Sequence, residues 1–389
     1  MTKFDCAIVG GGMIGAATAV ALGDLGLKIA LIEKFTPSNM APLQPFDLRI
    51  SAISIHSQQF LETLGAWQFI DLSRACQYNR LGVWEDDFAY TEFHCDEIGR
   101  SHLGYMVENK QIQLALWRVL RCHSNITQFC PDQLEQITEH ERYLDIALES
   151  QSIQSTLILA ADGANSQIRQ LANIGLTGWD YGQSAMLINV KTALDTQDIT
   201  WQKFYPTGPV AFLPMPDGHA SLVWYHSKAE IKRLSGLSND QLAHEVTKAF
   251  PNKLGNIEVL GKGAFDLTRR HANDYVKGKV VLLGDAAHTI NPLAGQGVNL
   301  GFKDVKALQM AFAKALGEGQ AFDDAKTLQA YEKARRPDNL MMMSGMDAIY
   351  NVFSHPSPVI KLVRNLGLFA SQRAGKLKSK ALAYACGIK

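Results

Sequence analysis

Apolar and polar positions along the chain alternate between two periods, and the change of period marks the elements. Asp5–Val9 is a short apolar run that reads as a buried strand, and Met13–Leu25 carries apolar residues at helical spacing. A second strand, Ile29–Glu33, follows directly, so the first 33 residues predict a βαβ beginning. Leu81–Phe93 is strand-like, Gln111–Arg121 helical, and residues 126–160 hold short apolar runs separated by turn residues and leading into a strand, Leu157–Ala161. Between 185 and 226, Val, Phe, Trp and Tyr recur with Pro and Gly punctuation, which predicts an antiparallel sheet. Val280–Leu283 is again a buried strand, and helices are expected over most of the chain from Gly297 onward. The nucleotide-type elements at 5–33, 157–169 and 280–304 are far apart in sequence. To meet around one ligand they require the β-rich segments to be insertions. The fold class expected is therefore α/β, a Rossmann-like domain with an inserted antiparallel β-sheet domain and a helical C-terminus. The divisions expected are 1–75, 101–176 and 264–345 for the first domain, 76–100 and 177–263 for the second, and 346–389 for the C-terminal segment.

Composition narrows the function classes. Lys plus Arg and Asp plus Glu number 38 each in 389 residues, and a neutral chain lacks the basic excess of a nucleic-acid binder. The six cysteines form no CxxC pair, so no metal site is expected and the thiols read as reduced. Residues 7–22 are apolar, but Asp5 precedes them and four glycines interrupt them, which fits a βαβ turn better than a targeting segment. No run reaches the length of a membrane span, and the expected location is cytoplasmic.

One C-terminal feature qualifies that location. From Pro356 to Lys389 there is no Asp or Glu, whereas Lys361, Arg364, Arg373, Lys376, Lys378, Lys380 and Lys389 are basic. Val359, Leu362, Val363, Leu366 and Phe369 recur at helical spacing and form one apolar face. Two readings stay open, a basic amphipathic helix on the inner membrane surface or on a partner, and a helix packed on the protein's own core.

The chemistry begins at Gly10-x-Gly12-x-x-Gly15, set between a strand and a helix. Gly10 permits the tight turn, Gly12 a close backbone approach to a pyrophosphate, and Gly15 close helix–strand packing. Glu33, at the end of the second strand, can accept hydrogen bonds from a ribose diol and would repel a 2′-phosphate, so FAD or NAD fits and NADP does not. Gly284-Asp285 follows the strand from Val280, and a carboxylate there can bind the ribityl hydroxyls that a flavin has and NAD lacks. Pro292–Gly301 is a glycine-rich turn opening a helix, and the backbone N–H groups of Gln296 and Gly297 would face the flavin pyrimidine edge. At Ala161-Asp162-Gly163, Asp162 caps the next helix or touches the cofactor, while Ser166 and Arg169 tie the turn to backbone or phosphate. His288 reads as a packed histidine anchoring its loop. Phe212, Pro214, Trp224 and Tyr225 wall a ring-sized substrate pocket or are plain sheet core, with equal weight.

Taken together these motifs resemble the group A flavin monooxygenases, the para-hydroxybenzoate hydroxylase-like proteins, over essentially the whole chain. Arg49-Ile-Ser-Ala-Ile-Ser54, Gly104–Asn109, Phe212-Leu-Pro214, Ser221–Tyr225, Thr268-Arg-Arg-His271 and Arg364–Leu368 resemble the ubiquinone-biosynthesis hydroxylases among them. The resemblance implies FAD as cofactor, with Gly10, Gly12 and Gly15 on its pyrophosphate and Glu33 on its adenosine ribose. It puts Arg49 in the phosphate–flavin region and Asn109 near the ribityl chain and adenine, where the family often has Gln or Arg. Asp285 is implied at the ribityl chain, Pro292 beside the isoalloxazine ring, and Gly295, Gln296, Gly297 and Asn299 around its pyrimidine end. The implied reaction is hydroxylation of a prenylated phenol or benzoquinol by O₂ through a flavin C4a-hydroperoxide. NAD(P)H or another reductant supplies the electrons, and a ubiquinone-biosynthesis complex is an implied partner. The cofactor carries the bond chemistry, so no catalytic side chain is assigned. The competing readings are an oxidase or dehydrogenase on the same fold, and a non-catalytic FAD-containing component of a complex.

Overall fold

The computed structural model describes residues 1–41, 44–292, 295 and 297–388. The helices among them are α1 (Met13–Gly23), α2 (Ile55–Thr63), α3 (Asn109–Leu120), α4 (Gln167–Leu171), α5 (Lys228–Ser235), α6 (Asn239–Ala249), α7 (Gly297–Gly317), α8 (Ala325–Ser354), α9 (Pro358–Ser371) and α10 (Lys376–Ala385). α5 and α6 lie in a stretch where the apolar pattern announced no helix.

At the centre of the first sheet, Thr2–Val9 pairs in parallel with Ile29–Ile32 on one side and Ser152–Ala160 on the other. Ile126–Phe129 extends it beyond Ile29–Ile32, and Val280–Leu282 extends it beyond Ser152–Ala160. The three nucleotide-type segments predicted to converge are thus neighbours in one sheet. Their near-continuous apolar composition reflects burial on both faces, since α1, α3 and α7 cover them. α1 has no polar stripe because it is buried from Gly15 to Gly23.

The second sheet is built on two long strands, Leu176–Thr192 and Ile257–Ala272, paired antiparallel. His219–Ser227, Val210–Pro214, Ile199–Lys203, Arg80–Trp84 and Thr91–His94 continue it in that order. One pair departs from the antiparallel expectation, because Ile199–Lys203 runs parallel to Arg80–Trp84. A small third sheet joins Ile50–Ser54 and Cys76–Tyr78 to Gly104–Glu108 and sits between the two large ones.

Period-two alternation gives the second sheet two different faces. Met186, Ile188, Phe212, Leu222 and Trp224 point to one side, where Ile231, Leu234, Leu242 and Val246 of α5 and α6 close a separate core. Leu187, Ala211, Leu213, Val223 and Tyr225 point to the other side, into a cavity that Ile50, Ala52 and Tyr78 of the small third sheet also line.

The C-terminal helices pack unlike each other. Leu382 and Cys386 at the end of α10 are buried with Cys76, Tyr78 and Met106, and buried Lys378 pairs with Glu97 at 2.7 Å. α9 buries Arg364 and Asn365, half-buries Ile360 and Leu368, and leaves Val359, Leu362, Val363, Leu366 and Phe369 exposed. No helix of the described residues is long and apolar enough to cross a membrane.

Candidate functional site

The glycine turn meets its packing demands at two positions and leaves a third open. A Cβ on Gly10, whose φ is +99°, would lie 2.4 Å from the Ala161 carbonyl, and one on Gly15 would lie 1.7 Å from the Gly10 carbonyl. A Cβ on Gly12 would meet nothing within 4 Å. Two of the glycines are therefore required by the fold, whereas Gly12 borders a space reserved for something else. The Gly11 carbonyl accepts from Trp117 Nε1 at 2.7 Å and Gln113 Nε2 at 2.9 Å, fixing the turn from α3. Sequence reasoning passed over both partners, since nothing local marks them.

Three adjoining cavities run from this turn. The first is bordered by Gly10, Gly12, Glu33, Asp162 and Gly163, and the second by Gly12, Arg49, Asn109 and Lys110. The third, of about 420 Å³, is bordered by Arg49, Asn109, Asp285, Pro292 and Gly295 at one end. Gly12 is common to the first two cavities, and Arg49 and Asn109 to the second and third. An elongated ligand can therefore lie across all three, with its acidic middle between Gly12 and the two cations Arg49 and Lys110.

Glu33 stands at the far end, its carboxylate accepting from Gly11 N at 2.5 Å and Phe35 N at 2.9 Å. Asp162 Oδ2 accepts from the N–H groups of Gln167 and Ile168, the capping alternative of the sequence reading, while its buried Oδ1 has no partner and borders the first cavity. Arg169 is buried and donates to the carbonyls of Ala286 and Ala164 at 2.9 and 3.0 Å, joining this turn to the one that carries Asp285. Asn109 accepts from Ser51 Oγ at 2.6 Å at the start of α3.

At the other end, Gly284-Asp285 is fixed from below. The Gly284 N–H donates to Asp304 at 3.1 Å, and the same carboxylate takes His288 Nε2 at 2.6 Å, Arg335 Nε at 2.8 Å and Asn339 Nδ2 at 3.0 Å. Burial pushes the Asp304 carboxyl up, but His288 and Arg335 outweigh it and hold it down at about 2. Protein packed round Asp285 raises its carboxyl above the ordinary range, against the pull of His288 and Arg49. Its side chain nonetheless opens into the third cavity, where it is an acceptor available to a ligand. Asn299 is buried and fully engaged, donating to the carbonyls of Ala52 and Gly295 and accepting from Ser54 N at 3.0 Å. It ties the glycine-rich loop to the small sheet. Gln296 lies outside the described residues, whereas a Cβ on Gly297 would be in ordinary contact with Ile290.

The third cavity continues past this loop to the inner face of the antiparallel sheet. Leu187, Ala211, Leu213, Val223 and Tyr225 form that wall, and Leu382, Ala385 and Cys386 of α10 close another. Of the four residues singled out for a ring pocket, Tyr225 alone borders the cavity. Phe212 and Trp224 lie on the opposite face, in the core under α5 and α6, and Pro214 is buried away from the cavity. The sheet's pleat decides this, since each of those strands sends its neighbouring residue inward. Burial pushes the Cys386 thiol up to about 11.

Residues 3–343 match the family model described as FAD binding domain. Over 386 residues the chain is 46% identical to 3-demethoxyubiquinol 3-hydroxylase of Escherichia coli strain K12, covering 99% of this chain and 98% of that protein. It is 31% identical over 385 residues to ubiquinone hydroxylase UbiL of Rhodospirillum rubrum, covering 98% and 89%. The crystal structure of p-nitrophenol 4-monooxygenase PnpA from Pseudomonas putida has a similar fold, with a TM-score of 0.79, 19% identity and coverage of 99% of this chain and 97% of that one.

Proposed function

Because the chain belongs to the FAD-binding-domain family and to its ubiquinone hydroxylases, FAD-dependent monooxygenases, we propose that it hydroxylates a prenylated phenol or benzoquinol. Within that group it resembles the hydroxylases of 2-octaprenyl-3-methyl-6-methoxy-1,4-benzoquinol. The reaction consumes O₂ and two electrons from NAD(P)H or another reductant, putting one oxygen atom on the ring and the other into water. The observation that carries this reading is the run of three cavities ending in an apolar chamber. A dinucleotide fits the polar part, and the chamber wall of Leu187, Ala211, Leu213, Val223 and Tyr225 suits an uncharged ring.

Bound FAD supplies the oxygen activation. Gly12 leaves room for its pyrophosphate, Arg49 neutralises that charge, and Asp285 accepts from its ribityl hydroxyls. Glu33 serves the adenosine ribose after giving up its bond to the Gly11 N–H. The N-terminal turn of α7, beginning at Gly297, would turn its N–H groups and positive dipole end to the flavin edge. The sheet wall and α10 keep water from the ring, which protects the oxygen-transfer step from side reactions.

In this reading residues 1–75, 101–176 and 264–345 bind FAD, and 76–100 with 177–263 hold the ring. The strands Leu176–Thr192 and Ile257–Ala272 cross both divisions and are common to the two parts. A lipid-tailed quinol is nearly insoluble, so the enzyme works at the inner face of a membrane or within a biosynthetic complex. The test is turnover of a short-chain demethoxyquinol under ¹⁸O₂ by the FAD-loaded protein. One ¹⁸O atom in the product is expected. An oxidised product without label would make the protein an oxidase or dehydrogenase, and FAD binding without turnover would leave it a structural component.

A further inference from the structure

α9 is mounted with Arg364 and Asn365 inward, beside Leu368, which packs against Phe204, Tyr350 and Phe353. Arg364 grips Glu85 through Nε and Nη2 at 2.7 and 2.5 Å and donates to the carbonyls of Val352 and His355 at 2.6 and 2.8 Å. Asn365 donates to Glu85 at 2.7 Å and accepts from the Asp86 N–H at 3.1 Å. Opposite these, Val359, Leu362, Val363, Leu366 and Phe369 are 70, 57, 64, 50 and 42% exposed. A helix placed by burial of its own apolar face would sit the other way up. Taking Arg364 and Glu85 out of water carries a desolvation cost, and the outcome is a continuous apolar strip facing out.

Charge identifies what covers the strip. No acidic residue occurs between Pro356 and Lys389, while Arg373, Lys376 and Lys380 are exposed beside α9 and on α10. Lys361 at the other end of the helix pairs with Asp86 at 2.9 Å, so the charge left beside the strip is the basic cluster, which a two-fold copy seated there would set against itself. Anionic headgroups would neutralise them, and acyl chains would take the apolar side chains. The same segment lines the cavity from inside, through Leu382, Ala385 and Cys386 of α10. The turn around Gly375 and the first part of α10 separate the outward strip from that inner wall.

We propose that the outer face of α9, flanked by Arg373, Lys376 and Lys380, docks on an anionic lipid bilayer and sets the α10 wall of the cavity against it. The second half rests on the prenylated-quinol reading, because a ring tethered by a lipid tail then reaches the cavity without leaving the bilayer.

FAD-loaded full-length protein is co-sedimented with phosphatidylcholine vesicles with and without phosphatidylglycerol. Wild type is expected to sediment with the anionic vesicles, less so at high salt. Val359→Glu with Val363→Glu lowers the bound fraction on the order of tenfold, and Lys376→Glu with Lys380→Glu lowers it and removes the salt dependence. Both variants keep wild-type turnover of a short-chain quinol in solution and lose turnover of a long-tailed quinol held in vesicles. No sedimentation of wild type, or equal sedimentation of all three proteins, overturns the docking surface. So does self-association of wild type that the valine variant abolishes. Wild-type turnover of the vesicle substrate by that variant overturns the delivery role. Failure of every protein on the soluble quinol rejects the functional reading and leaves the sedimentation result to decide the docking alone.

Discussion

Gly12 and Gly15 belong to one motif but answer to different constraints, and substitution separates them. Gly15→Ala drives a methyl into the Gly10 carbonyl, so α1 must move off its strand. A lowered apo-protein melting temperature is expected. Gly12→Ala adds a methyl to open space, so the apo-protein should melt like wild type while FAD binding, followed by quenching of flavin fluorescence, weakens. Unchanged FAD affinity in Gly12→Ala would mean that the pyrophosphate lies elsewhere. Asp285→Ala tests the other end of the site. Loss of a charge-assisted hydrogen bond to the ribityl chain is expected to weaken FAD retention by about 1.5–3 kcal/mol, roughly tenfold to a hundredfold in Kd. Retention at the wild-type level would remove Asp285 from the flavin.

Between elements, the site is held by buried polar contacts that make the protein acid-sensitive. His271, on the strand Ile257–Ala272, meets the Tyr275 hydroxyl at 3.2 Å, and burial together with His288 lowers its pKa to about 4. The unfolded chain keeps the ordinary value near 6.5, so between those values it binds a proton that the folded protein refuses. Stability from this group is complete above about pH 6.5 and falls as pH drops toward 4, by up to about 3 kcal/mol. Asp304 adds its loss only at lower pH, as its carboxyl protonates between 3.8 and about 2. Thermal melts from neutral pH downward should show the decline, and His271→Gln should make it shallower, the remainder coming from His56, whose pKa burial and Lys306 also lower to about 4. An equal slope in that variant would assign the acid lability to other groups. Little of this network was legible in the sequence. Asp285 and the glycines were, because turn, strand and carboxylate are adjacent in the chain and their spacing is itself the signal. Asp304, Arg335 and Asn339 sit in ordinary helical runs, and only the packing of α7 on α8 brings them beneath Gly284. α9 shows the reverse case, since its apolar spacing was visible and its outward orientation was not. Glu85, which fixes that orientation, lies 279 residues before Arg364.

Across the whole molecule, the cavity depends on which face of the antiparallel sheet looks toward the small third sheet. Of the two readings open for Phe212 and Trp224, ring pocket or sheet core, the core holds, because α5 and α6 claim them, and smaller Ala211 and Val223 face the cavity. Ala211→Phe is expected to fill the chamber and raise KM for the quinol on the order of tenfold with FAD still bound, the scale of a steric mismatch in a ring pocket. Phe212→Ala should cost about 3–5 kcal/mol of stability and leave KM near wild type. The opposite pattern in steady-state kinetics and melts would reverse the two faces. Cys386 in the chamber wall bears on how long each molecule lasts. Oxygen reduced on the bound cofactor without a ring to receive it would leave as hydrogen peroxide, into the cavity that Cys386 borders. Peroxide attacks the thiolate, and with the thiol pushed up to about 11 by burial, only about one molecule in ten thousand carries that form at neutral pH. Added peroxide should therefore oxidise exposed Cys122 before Cys386, as read by peptide mass spectrometry. The wall is thus a slow target, and the number of turnovers a molecule completes would depend on how seldom it fired empty.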